Sequence, residues 1–283
     1  MVAATITLVA VAGLTACAPT APPPGATANG CGRAAAPVLT QQRQLTSGGV
    51  TRQYLLTIPD GYNPAVPTPL VLNFHGLGSD ANQQAVYTQL DQRAKTRGFI
   101  VATPGGIGGS MDVTAPSVDH QYVVELVRYL SSILCVSPSA RFSAGLSMGG
   151  FMSSALACVP ELRLRAVAGV GGLFGACANG RSMPVMAFHG TLDPIVAYAV
   201  GRDSVTSWAG RNGCGPTPQV TRIGTDIQVR TSTGCRAGLS ATLYTVEGGG
   251  HTWPDGLVDL PAYGSTTRTI AATDLILDFF NAQ

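Results

Sequence analysis

Residues 140–158, ARFSAGLSMGGFMSSALAC, open with a strand pattern over 140–146, pass through Gly145-Leu146-Ser147-Met148-Gly149, and continue with a helix pattern over 149–158. A serine between strand and helix, with glycines two residues to either side, suits a sharp turn that leaves no room for neighbouring side chains and lifts its hydroxyl clear of the chain. Gly150 adds a third small residue. A five-residue match also arises by chance, and a glycine-rich helix entry capped by Ser147 reads the same way. The segments on either side decide between the two.

Upstream, 52–59 alternates as a strand, 69–75 is a denser apolar run of the buried parallel type, 81–96 is helical, 99–103 is a strand and 118–134 a helix. Downstream come strands at 166–170 and 184–188, a helix at 197–210, a strand at 241–246 and a closing helix at 268–280. Strands alternating with helices predict an α/β fold, a mostly parallel central sheet with helices on both faces. Only about a dozen residues separate the strand ending near Gly172 from the one starting at Pro184, too few for a large helical lid. An open cleft is therefore expected, suited to a bulky or polymer-borne substrate.

Composition narrows the function classes. Of 283 residues, 11% are charged and 45% hydrophobic, against roughly 25% charged in an average soluble chain. Such a chain has ample material for a core and lacks the signature of disorder. A net charge of +2 with no Lys/Arg run gives no electrostatic footprint for nucleic acid.

A serine hydroxyl becomes a useful nucleophile only when a base takes its proton, and the base needs a carboxylate to hold its tautomer. Two later segments supply candidates. Residues 186–193, MAFHGTLD, form an apolar strand and a short turn ending at Asp193; residues 248–254, GGGHTWP, place His251 on a glycine-rich loop after the last predicted strand. The order Ser147, Asp193, His251 is that of the α/β-hydrolases, each residue lying just beyond a strand's carboxyl end. Asp255 and Asp259 are rivals to Asp193, but they follow His251 on its own loop. Of the other three histidines, His75 and His189 end strands in His-Gly pairs and read as buried hydrogen-bonding residues, while His120 lies in a predicted helix and reads as surface or supporting.

Stabilising an oxyanion takes two backbone N–H groups, one of them on the residue after the nucleophile. That residue is Met148, and the loop Phe74-His75-Gly76-Leu77-Gly78 offers Leu77 N–H as the second. Trp253, beside His251, and His75 are the candidate substrate contacts; Trp253 could equally pack its own loop. No cluster calls for a cofactor, and the cysteines lack the paired CxxC spacing of a zinc site. Neither cofactor nor metal is expected.

The amino terminus reads as an address. Residues 1–17 carry no charge and end in Leu14-Thr15-Ala16-Cys17, a signal peptide whose end resembles the bacterial lipobox, with Cys17 as the lipidation site. Ala16-Cys17-Ala18 is also an A-x-A site, which leaves plain secretion open. The first basic residue is Arg33, so the expected start lies upstream of Met1. Residues 18–30, rich in Pro, Ala, Thr and Gly, read as a flexible tether, and 31–283 as the catalytic domain. Six cysteines remain for three disulfides, as an exported chain allows. Cys214–Cys235 would close a polar excursion; Cys158–Cys177 and Cys31–Cys135 are the first choice among the other pairings.

Taken together, Phe74-His75-Gly76, Val118-Asp119, Cys135-Val136, Gly145 to Gly150 with Ala157-Cys158, His189 to Asp193, and Gly250 to Pro254 resemble the secreted esterases that include polyhydroxybutyrate depolymerases and feruloyl or acetylxylan esterases. The resemblance runs from Cys31 to the carboxyl end. It implies the α/β-hydrolase fold and a serine esterase acting on carboxylic esters, polymer-linked ones included; a monomer is expected. A departure falls at 104–119, where many members carry a Trp and this chain has none. A lipase or peptidase on the same fold, or an inactive exported binding lipoprotein that meets the membrane only through Cys17, are the alternatives.

Overall fold

The computed structural model describes residues 29–33, 40–114, 116–178 and 180–283. The expected signal peptide, Cys17 and nearly all of the expected tether lie outside them. In chain order the elements are β1 (Thr40–Ser47), β2 (Val50–Thr57), β3 (Thr68–Phe74), α1 (Ala81–Thr88), α2 (Leu90–Thr96), β4 (Ile100–Pro104), α3 (Val118–Ile133), β5 (Val136–Leu146), α4 (Met148–Leu156), β6 (Ala166–Val170), β7 (Val185–Gly190), α5 (Tyr198–Arg211), β8 (Gln219–Ile223), β9 (Ile227–Thr231), β10 (Ala241–Val246) and α6 (Ala272–Asn281).

One sheet holds all these strands in the order β1-β2-β4-β3-β5-β6-β7-β10-β9-β8. The six central strands run parallel, from β4 to β10, with antiparallel β1 and β2 on one side and the β8–β9 hairpin on the other. The period-two alternation of side chains sorts each strand between two cores. Leu70, Leu72 and Phe74 of β3 face α3, α4 and α5, where they meet Leu126, Leu130, Met152 and Trp208. Val71 of β3, Phe142 of β5 and Val170 of β6 face the opposite layer, with Leu90, Ile276 and Phe280. Burial on both faces explains why β3, β4, β6 and β7 read as unbroken apolar runs.

Several elements differ from the sequence expectation. Helix 81–96 is two helices, because Gln89 takes a left-handed conformation at φ 55° between them. β5 starts at Val136 rather than 140, and α6 at Ala272 rather than 268. β1, β8 and β9 were not expected; β1 carries mostly polar residues and β8 is exposed throughout, so neither shows a hydrophobic period. The structure pairs Cys31 with Cys135, Cys158 with Cys177 and Cys214 with Cys235. Gly30 is not tether: it is buried, its N–H donates to Ser131 O at 2.8 Å, and a Cβ there would overlap the backbone of Ile133 and Leu134.

Among the described residues, 171–184 hold no helix, and no helix is long and apolar enough to cross a membrane.

Candidate active site

Ser147 sits where β5 turns into α4, at φ 54° and ψ −119°. A non-glycine residue with positive φ is strained, and strain of this kind persists only where the surroundings fix it. Here the surroundings are glycines. A Cβ at Gly145 would overlap Gly149, and one at Gly149 would overlap Phe74 O, so β5, α4 and the end of β3 meet too closely for any larger residue. Ser147 N–H donates to Val170 O at 2.8 Å, which ties the turn to the end of β6. Ser147 itself is partly exposed.

Asp193 follows β7, its carboxylate fully buried. Oδ1 accepts the N–H groups of Ile195 and Val196, both at 2.8 Å. Oδ2 lies 2.7 Å from His251 Nδ1 and 3.4 Å from His189 Nε2. Burial acts to raise the carboxyl, but the hydrogen bonds from His189, His251, Val196 and Ile195 outweigh it and hold the group well below the usual carboxylate range. The carboxylate is therefore ionised and accepts from Nδ1–H of His251, which leaves Nε2 unprotonated on the neutral ring.

His251 is buried on the loop after β10, and its N–H donates to Tyr263 O at 2.6 Å. Between it and the serine run Gly171 and Gly172, which leave β6. A Cβ on Gly171 would stand 3.0 Å from the His251 ring and 3.6 Å from Asp193 Oδ2, and one on Gly172 would overlap the Ser147 backbone. A two-residue glycine stretch thus lies against the side chains of His251 and Asp193 and the backbone of Ser147. Among the described residues Ser147 Oγ makes no hydrogen bond, to His251 or to any other protein group. His189 is the buried hydrogen-bonding residue that the sequence suggested, with Nε2 2.9 Å from Val196 O; the sequence reading missed Gly171 and Gly172, for which a Gly-Gly pair ending an apolar run was the available signal.

The loop after β3 brings Gly76 beside the serine, where a Cβ would stand 3.7 Å from Ser147 Cβ. Leu77 is exposed. Met148 opens α4, where helical N–H groups have no partner in their own helix. His75 is fully buried, with Nδ1 2.8 Å from Gly76 O and Nε2 2.9 Å from Gly106 N. The Gly106 N–H needs Nε2 as acceptor, so Nδ1 carries the proton and donates to Gly76 O. Burial lowers the pKa of His75, opposed only in part by that bond, and the ring stays neutral.

Two expected substrate contacts are corrected. Both ring nitrogens of His75 are engaged by backbone, so it offers a substrate nothing. Trp253 has no exposed surface; its indole packs in the core beside α2 and α6, and Nε1 donates to Thr273 Oγ1 at 3.0 Å. His120 is buried rather than on the surface, with Nδ1 2.6 Å from Ser117 Oγ. Among the described residues no group of three His, Cys, Asp or Glu side chains could hold a metal ion.

Comparison with known proteins places the chain. No family model matches the chain. Feruloyl esterase C of Emericella nidulans is 31% identical over 236 residues, covering 80% of this chain and 84% of that protein. The chain belongs to the feruloyl esterase family. It is a carboxylic ester hydrolase. Among solved structures, acetyl xylan esterase from Aspergillus awamori superposes with a TM-score of 0.64 at 16% identity, covering 86% of this chain and 100% of that one. The sinapinate-bound S954A feruloyl esterase module of Clostridium thermocellum gives 0.57 at 15% identity, over 93% and 92%. At such identities the two structures speak for the fold alone, which is that of the α/β-hydrolases, with no large lid among the described residues.

Proposed function

We propose that this member of the feruloyl esterase family is an exported serine esterase in which Ser147 is the nucleophile, His251 the general base and Asp193 the carboxylate that orients it. The observation that carries the reading is the Asp193–His251 bond of 2.7 Å, set across Gly171 and Gly172 from a serine at φ 54°. The Ser147–His251 hydrogen bond would form in the substrate complex, as such bonds often tighten only then.

In the proposed reaction Ser147 Oγ attacks the ester carbonyl carbon while His251 Nε2 takes its proton. The carbonyl oxygen becomes an oxyanion that accepts from Leu77 N–H and Met148 N–H. Collapse breaks the bond to the alcohol, which leaves with the proton from His251, and the acyl group remains on Ser147. Water then attacks the acyl-enzyme, again giving its proton to His251, and the acid departs as Ser147 regains its hydrogen.

The rim supports a bulky ester. Leu77, Ile107, Phe174, Leu192, Ile195 and Tyr263 are exposed, each on a segment leaving the carboxyl end of a parallel strand. An apolar collar around a site with no helix among the described residues of 171–184 suits feruloyl or acetyl groups on a polysaccharide, or a polyester. Three disulfides suit the export that the amino-terminal sequence suggests.

The test is turnover of p-nitrophenyl, feruloyl-sugar and polyester substrates by the wild type and Ser147→Ala, with fluorophosphonate labelling. Loss of turnover on the order of 10⁴-fold, with the label lost too, is expected; a variant that keeps most of its activity refutes the assignment. Cleavage of peptide amides but no esters would overturn the substrate class.

A further inference from the structure

The chain leaving β4 runs past both backbone groups assigned above to the oxyanion. Gly106 N–H donates to His75 Nε2 at 2.9 Å, and His75 in turn holds Gly76 O at 2.8 Å. Gly76 O and Leu77 N–H belong to one rigid peptide plane, so fixing the carbonyl aims the N–H. Three residues on, Gly109 O accepts Gly78 N–H at 2.9 Å, clamping the far side of Leu77. Met111 N–H then reaches Met148 Sδ at 3.3 Å, which holds the first residue of α4 against the same loop.

A loop held only by its neighbours could drift with them. This one has an external anchor. Asp112 N–H donates to Asp119 Oδ2 at 2.8 Å, and the other oxygen of Asp119 is paired with Arg52 of β2. Both partners of that pair are buried, and the Arg52 guanidinium lies 4.7 Å over the Tyr122 ring. A buried, paired carboxylate on the first turn of α3 is fixed to the frame of the sheet and not to the cleft.

We propose that Asp119 is a positioning residue for ester hydrolysis: through Asp112 N–H it fixes residues 105–112, and these set the Leu77 and Met148 donors at the separation an oxyanion needs. The inference rests on the assignment of those two N–H groups made under the proposed function. Asp119 touches neither substrate nor triad. Its effect falls on kcat, because the donors bind the oxyanion in the transition state and not the ground-state carbonyl.

Two variants separate positioning from folding. Asp119→Asn keeps an oxygen to accept Asp112 N–H. The double variant Arg52→Met with Asp119→Leu removes the buried pair together, an exchange that buried ion pairs often tolerate, but takes the acceptor away. With p-nitrophenyl acetate, kcat should fall about tenfold or less in Asp119→Asn and on the order of 100-fold in the double variant, with KM within about threefold and thermal melting still cooperative. A folded double variant with kcat within about twofold of wild type overturns the proposal, as does a rise in KM alone. Should the double variant not fold, Met148→Leu keeps the backbone N–H but removes the sulfur that receives Met111 N–H. An unchanged kcat there overturns the proposal too, and a fall of about threefold or more supports it. Ser147→Ala, run alongside, keeps the two readings apart: activity in that variant sinks the serine assignment itself, whereas the Asp119 idea can fail while Ser147→Ala is inert.

Discussion

His251 and His189 meet on a single oxygen of Asp193, at 2.7 Å and 3.4 Å respectively. His189 also donates Nε2–H to Val196 O at 2.9 Å, so it holds the carboxylate and its own turn at once. Asp193→Asn would keep the shape but can donate to Nδ1, which forces the proton onto Nε2 and removes the base. A fall in kcat on the order of 10⁴-fold is expected, with little change in melting temperature. Comparable activity in the Asn variant across neutral pH would show that Asp193 does not set the tautomer.

Gly171→Ala should also lower activity, by a different route. Its φ of 60° is unfavourable for alanine, and the new Cβ would stand 3.0 Å from the imidazole of His251. Esterase activity should drop at least about tenfold while far-ultraviolet circular dichroism stays native; an unaffected kcat/KM would mean that the ring shifts without cost.

Trp253→Phe tests whether the indole serves the substrate or the fold. Buried in the core and bonded to Thr273, it should govern stability. The variant should lose about 1–3 kcal/mol in urea unfolding, with relative kcat/KM across an ester panel unchanged. A reordering of substrate preference would restore the contact role.

Asp91 gives a pH dependence of stability. It lies buried at the start of α2, accepting from Asn73, Thr103 and Thr57 at 3.0–3.2 Å. Burial pushes its carboxyl up to about 6, against the lowering effect of those hydrogen bonds. The folded state therefore binds more protons than the unfolded one between about pH 4 and 6, and this group's contribution to stability declines as pH rises through that window. Asp91→Asn should be more favourable, relative to wild type, at pH 7 than at pH 4. A stability difference that is flat with pH would contradict the shift.

How much of this was legible in the sequence depends on burial. Strands covered on both faces, such as β3 and β6, announced themselves as apolar runs, and the glycines around Ser147 marked the turn because no other residue fits there. β8 was silent, since every one of its side chains faces solvent and only backbone pairing to β9 defines it. The break at Gln89 was equally hidden, because local periodicity continues across a single left-handed residue. For the site, chain order was enough to single out Asp193 and His251, which the structure brings within 2.7 Å of each other, whereas the sequence left Trp253 open between substrate contact and packing, and it turns into the core. Asp119 was noticed only as part of a resemblance; its pairing with Arg52 spans 67 residues, beyond any local pattern.

The disulfide from Cys31 to Cys135 and the bond from Gly30 to Ser131 fasten the start of the described chain where α3 ends and β5 begins. That is the pole where the parallel strands start, and Ser147 lies at the pole where they finish. Asn29, where the described chain starts, therefore stands next to a residue held on the side of the domain away from the serine.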